Sequence, residues 1–125
     1  MKRFKILVVD DEKKIRSVLS QILNIIAGYD VETACDGAEG LKKYLTFNPH
    51  IIISDVRMPI MNGLEFLKAV RQTNNQTILF FLSGNANLQD TKGIEELALA
   101  GIFVKPIIDI DGFLQAIKTA CEKIN

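Results

Sequence analysis

Four short stretches carry groups that could do chemistry: Asp10-Asp11-Glu12, Asp55, Ser83-Gly84 and Lys105-Pro106. Each follows an apolar run of strand length. Ile51-Ile52-Ile53 leads into Ser54 and Asp55, and Pro59, which cannot continue a hydrogen-bonded ladder, breaks the segment. Residues 4–9, 77–82 and 102–104 lead in the same way into Asp10, Ser83 and Lys105. Polar groups just past buried parallel strands share one rim, and open α/β sheets bind ligands there, where strand order reverses. Singly, each has a plainer role: an acid caps the next helix, a serine fills a turn, a lysine is solvated. Together, in this order, they make a candidate site.

Carboxylates that converge repel one another, which raises their pKa values unless a cation is present. Hard oxygen ligands suit Mg²⁺, which keeps several waters and shares a substrate phosphate. Asp10, Asp11 and Asp55 contribute three negative charges, and one Mg²⁺ with Lys105 supplies three positive ones. A dianionic phosphoryl group could approach the neutralised site but not the bare acids.

The elements that must position these groups are legible along the chain. Ile15, Val18, Leu19, Ile22 and Ile26 recur at helical spacing, and Gly28 is a natural stop. Asp30–Ala34 alternates as a short strand. Asp36-Gly-Ala-Glu39 has the pattern of a capping box and opens a helix with Ala38, Leu41 and Leu45 on one face. Pro49 closes the loop before the strand that ends at Asp55, and His50, at the start of that strand, reads as a loop residue. Asn62-Gly-Leu-Glu65 is a second cap, with Leu64, Leu67 and Val70 facing inward. A fourth helix is expected over about residues 88–100, although Gly93 inside it costs roughly 1 kcal/mol against alanine. Asp111 is expected to cap a last helix that turns Phe113, Ile117, Cys121 and Ile124 to the core. Five strand–helix units argue for a parallel sheet covered on both faces, with right-handed crossovers.

Length and composition bound the rest. A chain of 125 residues reads as one domain, residues 1–125, and 48% hydrophobic residues argue against disorder. Lys plus Arg and Asp plus Glu are balanced at 15 each, so bulk charge points to neither nucleic acid nor a membrane surface. No apolar run reaches the roughly 18 residues of a membrane span, and a cytoplasmic protein is expected. Cys35 and Cys121 have no metal-ligand spacing and read as ordinary thiols.

At this point the residues match a family. The pattern resembles the receiver domain of two-component response regulators over essentially the whole chain. Val-Val-Asp10-Asp11-Glu12, Ile-Ser-Asp55-Val-Arg-Met-Pro59, Leu-Ser83-Gly84 and Val-Lys105-Pro106 carry the likeness. The resemblance implies a doubly wound, flavodoxin-like α/β fold, (βα)5, with strand order 2-1-3-4-5. It implies that a sensor histidine kinase or phosphotransfer protein phosphorylates Asp55, which switches conformation and binding to a downstream effector or fused output domain. Asp11, Asp55 and the backbone carbonyl of Arg57 would hold Mg²⁺, with Asp10 assisting. Ser83 would hydrogen-bond the phosphoryl group, Lys105 would pair with it, and the Lys105–Pro106 peptide would be cis. The physical roles agree, because an in-line carboxylate can attack phosphorus once charge is neutralised, and the rest is positioning. Gly84 leaves the approach open, and Arg57 and Asn85 border it. Such a module catalyses only its own phosphorylation and dephosphorylation. Ile102 stands where the family often has an aromatic that rotates on activation, and a stiff β-branched side chain cannot repeat that movement.

Two other readings fit less well. Enzymes of the haloacid-dehalogenase type place their nucleophile after the first strand with a second acid two residues on, whereas here those acids are adjacent. A flavin binder needs a Ser/Thr/Gly-rich phosphate loop after the first strand, where Asp10-Asp11-Glu12 would repel the phosphate.

Overall fold

The computed structural model describes residues 3–84 and 93–124. The apolar runs become β1 (Lys5–Val9), β2 (Asp30–Ala34), β3 (Ile51–Asp55), β4 (Ile78–Ser83) and β5 (Gly101–Val104). They form one parallel sheet in the order β2-β1-β3-β4-β5, as expected. Every residue of β3 is buried, which is why it opens on three consecutive isoleucines rather than an alternating pattern before ending on the buried Ser54 and Asp55.

Helices cover both faces: α1 (Lys13–Gln21), α2 (Gly37–Phe47), α3 (Gly63–Thr73) and α4 (Ile110–Glu122). Alternation along β1 divides the core in two. Ile6 and Val8 pack with Leu19 and Leu23 of the first helical segment and with Phe113 and Ile117 of α4. Leu7 and Val9 pack on the other face with Tyr44 of α2 and with Phe66, Leu67 and Val70 of α3. Burying side chains of this size contributes about 1.5–3 kcal/mol each, which fixes the helices on the sheet.

Several local expectations are corrected. Helix α1, on which Val18 is exposed, passes into a π-helical turn, Ile22–Ile26, whose wider winding shifts the inward face: Leu23 is buried, while Ile26 is exposed. In α2 the inward side chain is Tyr44, and Leu45 is exposed. Asp36 caps α2 through Glu39 N at 2.8 Å, but Glu39 answers Cys35 N rather than Asp36 N. The box at Asn62 and Glu65 is complete. The fourth helix expected over 88–100 falls partly on residues 85–92, outside the described residues. From residue 93 on, the chain makes only a 3-10 turn, Ile94–Leu97, bounded by Gly93 (φ 86°) and Ala98 (φ 52°) in left-handed backbone. Burial of Leu97 holds that turn in place. The cap of α4 is Asp109, not Asp111. The Asp109 carboxylate accepts Gly112 N at 2.9 Å, and a Cβ on residue 112 would meet that carboxylate at 2.3 Å. Asp111 instead sits in the first turn, where a negative charge suits the helix dipole. His50 lies at the opposite end of β3 from Asp55, with its Nδ1 accepting Lys5 N at 3.0 Å.

Candidate functional site

Strand register brings the sequence-distant groups together. Val9 of β1 lies opposite Ser54 of β3, so the next residues, Asp10 and Asp55, emerge side by side. Asp55 lies opposite Leu82 and Ser83 opposite Val104, so β4 and β5 deliver Ser83 and Lys105 to the same edge. Lys105 N donates to the Ser83 carbonyl at 2.7 Å, and the Lys105–Pro106 peptide is cis.

Strand β5 stands two strands from β3, roughly 10 Å at ordinary spacing, so only a long side chain spans the gap. Lys105 Nζ ends 2.8 Å from Asp10 Oδ2, 3.0 Å from Asp55 Oδ2 and 3.4 Å from Glu12 Oε1. Asp10 is fully buried, Asp55 and Ser83 nearly so, while Asp11 and Arg57 are exposed at the mouth. The Asp10 loop is held by its own bonds: Oδ1 accepts Glu12 N at 2.8 Å, and its carbonyl accepts Arg16 Nη1 at 2.8 Å. Asn85 lies outside the described residues.

Burial pushes the Asp55 carboxyl up from its ordinary 3.8 to about 6. The bond and charge of Lys105 pull against that rise, and the neighbouring Asp10 charge adds to it. For Lys105, burial pulls the ammonium down, but its bonds to Asp10 and Asp55 outweigh this and hold it above the usual lysine value. One cation thus serves carboxylates that outnumber it.

The donor set fits a hard divalent cation. Asp10, Asp11 and Asp55 each offer a carboxylate oxygen within 4.8 Å of the others, the one such group among the described residues. Buried Asp10 Oδ2 has Lys105 as its charged partner, at 2.8 Å. An all-oxygen, net-negative cluster of this kind suits Mg²⁺.

Two supporting residues escaped the sequence reading. Gly63, the first residue of α3, packs directly on the Asp55 backbone: a Cβ there would lie 1.9 Å from the Asp55 carbonyl oxygen. Gly63 N also donates to the Val56 carbonyl at 2.8 Å, and Ser54 Oγ donates to the Asp55 carbonyl at 2.9 Å. The capping pattern at Asn62 marked the helix start but not this contact. Glu12 is the second. It was visible as a third consecutive acid, yet only the fold shows its side chain turning toward Lys105.

The wider comparisons agree with this geometry. The response regulator receiver domain family matches residues 6–118. The chain is 32% identical over 107 residues to the regulator of RpoS of Escherichia coli K12, covering 86% of this chain and 32% of that protein. It spans less than half the length of the curated relatives it matches. The fold is similar to that of chemotaxis protein CheY4 of Vibrio cholerae, with a TM-score of 0.84, 36% identity, and coverage of 95% of this chain and 99% of that one. It is also similar to the response regulator TrrA of Thermotoga maritima in complex with Mg²⁺ and BeF, with a TM-score of 0.82, 30% identity, and coverage of 94% and 98%. With five parallel strands in the order 2-1-3-4-5 and an acidic rim crossed by one lysine, the chain belongs to the response regulator receiver domain family of two-component signal transduction.

Proposed function

We propose that residues 1–125 act as one phospho-accepting module in which Asp55 takes a phosphoryl group from a histidine of a sensor kinase or phosphotransfer protein. The observation that carries this reading is the Lys105 ammonium within 3.0 Å of both Asp55 and Asp10, with Asp55 at the end of the central strand β3, where it meets Lys105 and the carboxylates of the β1 rim. An Asp55 carboxylate oxygen forms the new O–P bond while the donor's N–P bond breaks, and the imidazole nitrogen keeps the electron pair. Lys105 and Ser83 then bind phosphoryl oxygens. Asp10, Asp11, Asp55 and the Arg57 backbone carbonyl would hold Mg²⁺, which would supply positive charge at the phosphoryl oxygens. The BeF complex of TrrA supports this assignment by similarity.

The module turns over no external substrate beyond its own phosphorylation and dephosphorylation. Its output passes to a downstream effector protein or a fused output domain, without binding nucleic acid or membrane itself. Among the described residues no helix is long and apolar enough to cross a membrane, and both cysteines are free thiols, in keeping with work in the reducing cytoplasm. The test is intact mass after incubation with acetyl phosphate and Mg²⁺. A gain of one phosphate, lost in Asp55→Asn, is expected. A gain that survives Asp55→Asn refutes the assignment.

A further inference from the structure

Glu12 occupies the N-cap position of α1 but does not cap it: the backbone there is extended (φ −92°, ψ 115°), and the side chain makes no bond to the first turn. An acid at an N-cap normally accepts an orphan backbone N–H, a bond worth keeping at a helix start. Here the carboxylate instead crosses the rim and comes to 3.4 Å from Lys105 Nζ, with its side chain 62% exposed. Its own N–H is committed to Asp10 Oδ1, so the backbone of residue 12 is fixed while its side chain faces the lysine.

The three partners of Lys105 are not equivalent. Asp10 and Asp55 are buried and belong to the carboxylate set that fits Mg²⁺. Glu12 lies outside that set, on the solvent side. Neutralising the set leaves Glu12 as the remaining uncompensated anion beside the ammonium. An incoming phosphoryl group must then take Lys105 from Glu12, and it approaches within reach of the Glu12 charge.

We infer that Glu12 is a positioning residue that tethers Lys105 in the unphosphorylated state and competes with the phosphoryl group for it. The inference rests on the phospho-acceptor reading above and adds a determinant of how tightly the site takes its anion. In the reaction with acetyl phosphate, Asp55 forms the O–P bond as the acetate–phosphorus bond breaks, and acetate leaves with the electron pair. Glu12 exchanges no proton or electron pair in that step and acts only through its charge and its hold on Lys105.

The experiment compares wild type with Glu12→Gln, which keeps size and removes charge. Beryllofluoride is titrated with Mg²⁺ and followed by amide chemical shifts, and labelling rates are measured against acetyl phosphate concentration. An exposed pair of this kind corresponds to about 0.2–1 kcal/mol, or a change of about 1.4- to 5-fold. Half-saturation by both anions should therefore move to lower concentration in Glu12→Gln by about 1.4- to fivefold, with the limiting labelling rate within about twofold of wild type. The gap should narrow as salt rises from about 0.01 to about 1 M, because exposed charges are screened. A merely structural role would move the limiting rate or thermal stability and would ignore salt. Unchanged half-saturation at low salt in a chain whose wild type labels normally overturns the inference and leaves the Asp55 reading standing. A wild type that takes no phosphoryl group overturns both.

Discussion

Replacing Asp55, the proposed phospho-acceptor, should make the metal-free protein more stable. Burial raises the Asp55 pKa from 3.8 to about 6, so the ionised carboxylate is less favourable in the folded state than in the unfolded chain. That shift already includes the attraction of Lys105. At about 1.36 kcal/mol per unit, the ionised group costs about 3 kcal/mol at pH 7. Water on the open side of the rim screens part of this, which leaves about 1–2 kcal/mol. The amide introduced by Asp55→Asn would keep an oxygen to accept the Val56 N–H that now bonds Asp55 Oδ1 at 2.8 Å, while removing the charge. Thermal and urea unfolding in EDTA at pH 7 should therefore show Asp55→Asn about 1–2 kcal/mol more stable, near 4–8 °C in midpoint for a domain of this size. The sign follows from the direction of the shift. A group whose folded pKa is raised stabilises the fold below its unfolded pKa and loses that contribution as pH rises through the folded value. Wild type should close the gap between pH 6 and pH 4, whereas Asp55→Asn gains nothing from this group. Excess Mg²⁺ should reverse the order at pH 7, because a ligand of the native carboxylates stabilises wild type by mass action. An Asp55→Asn protein no more stable than wild type at pH 7 in EDTA would refute the reasoning.

Gly63→Ala should displace Asp55, since the new methyl carbon would lie 1.9 Å from its carbonyl oxygen; a loss of about 1–3 kcal/mol in urea unfolding is expected together with slower acetyl phosphate labelling. Ile60→Gly should stabilise the fold by about 1 kcal/mol. Ile60 is exposed and β-branched at φ 70°, inside a turn where Met61 N bonds the Pro59 carbonyl at 2.7 Å, so glycine relieves strain at little cost in packing. Urea midpoints decide it, and a destabilised variant would show that the turn is not strained. Asp11→Ala should weaken Mg²⁺-induced thermal stabilisation more than it disturbs the fold, because Asp11 is exposed. Asp10→Ala should also cost stability, because it strips Lys105 of one of its two buried partners. Equal Mg²⁺ stabilisation in wild type and Asp11→Ala would remove Asp11 from the metal set.

Much of this architecture was readable because buried strands and charged rims have opposite compositions. Ile51-Ile52-Ile53 could only be an interior strand, and the residue that ends such a strand has a known direction to face. The caps at Asp36 and Asn62 were readable because they are local chemistry over three residues. The failures share another origin. The π turn at Ile22–Ile26 moves the inward face without changing the apolar spacing, so Ile26 kept a core-like pattern while lying exposed. Asp109 and Asp111 are equally good caps by type, and the choice is made by Gly112, which alone leaves room for the Asp109 carboxylate. Nor could any local pattern reveal that Glu12 would leave its helix for a lysine 93 residues away.

How the site is joined to the surface depends on contacts that no motif contains. Ser83 and Lys105, the two groups proposed to hold phosphoryl oxygens, are joined directly through the bond from Lys105 N to the Ser83 carbonyl, and Ser83 pairs with Val104 in the ladder. A displacement of either residue is therefore felt at the end of β5. Along β5 the faces differ. Phe103 is stacked on Phe80 and set edge-on to Phe113, each at 4.8 Å between ring centres, so it is locked against the core. Ile102 and Val104 point the other way and stand 42% and 45% exposed. An aromatic at residue 102 would have to rotate to register a change at Ser83. Ile102 already presents its side chain to solvent and has no large ring to move. Among the described residues, the Ser83–Lys105 backbone bond is a route by which movement at the rim would reach the outer face of β5 without a rotamer change at Ile102.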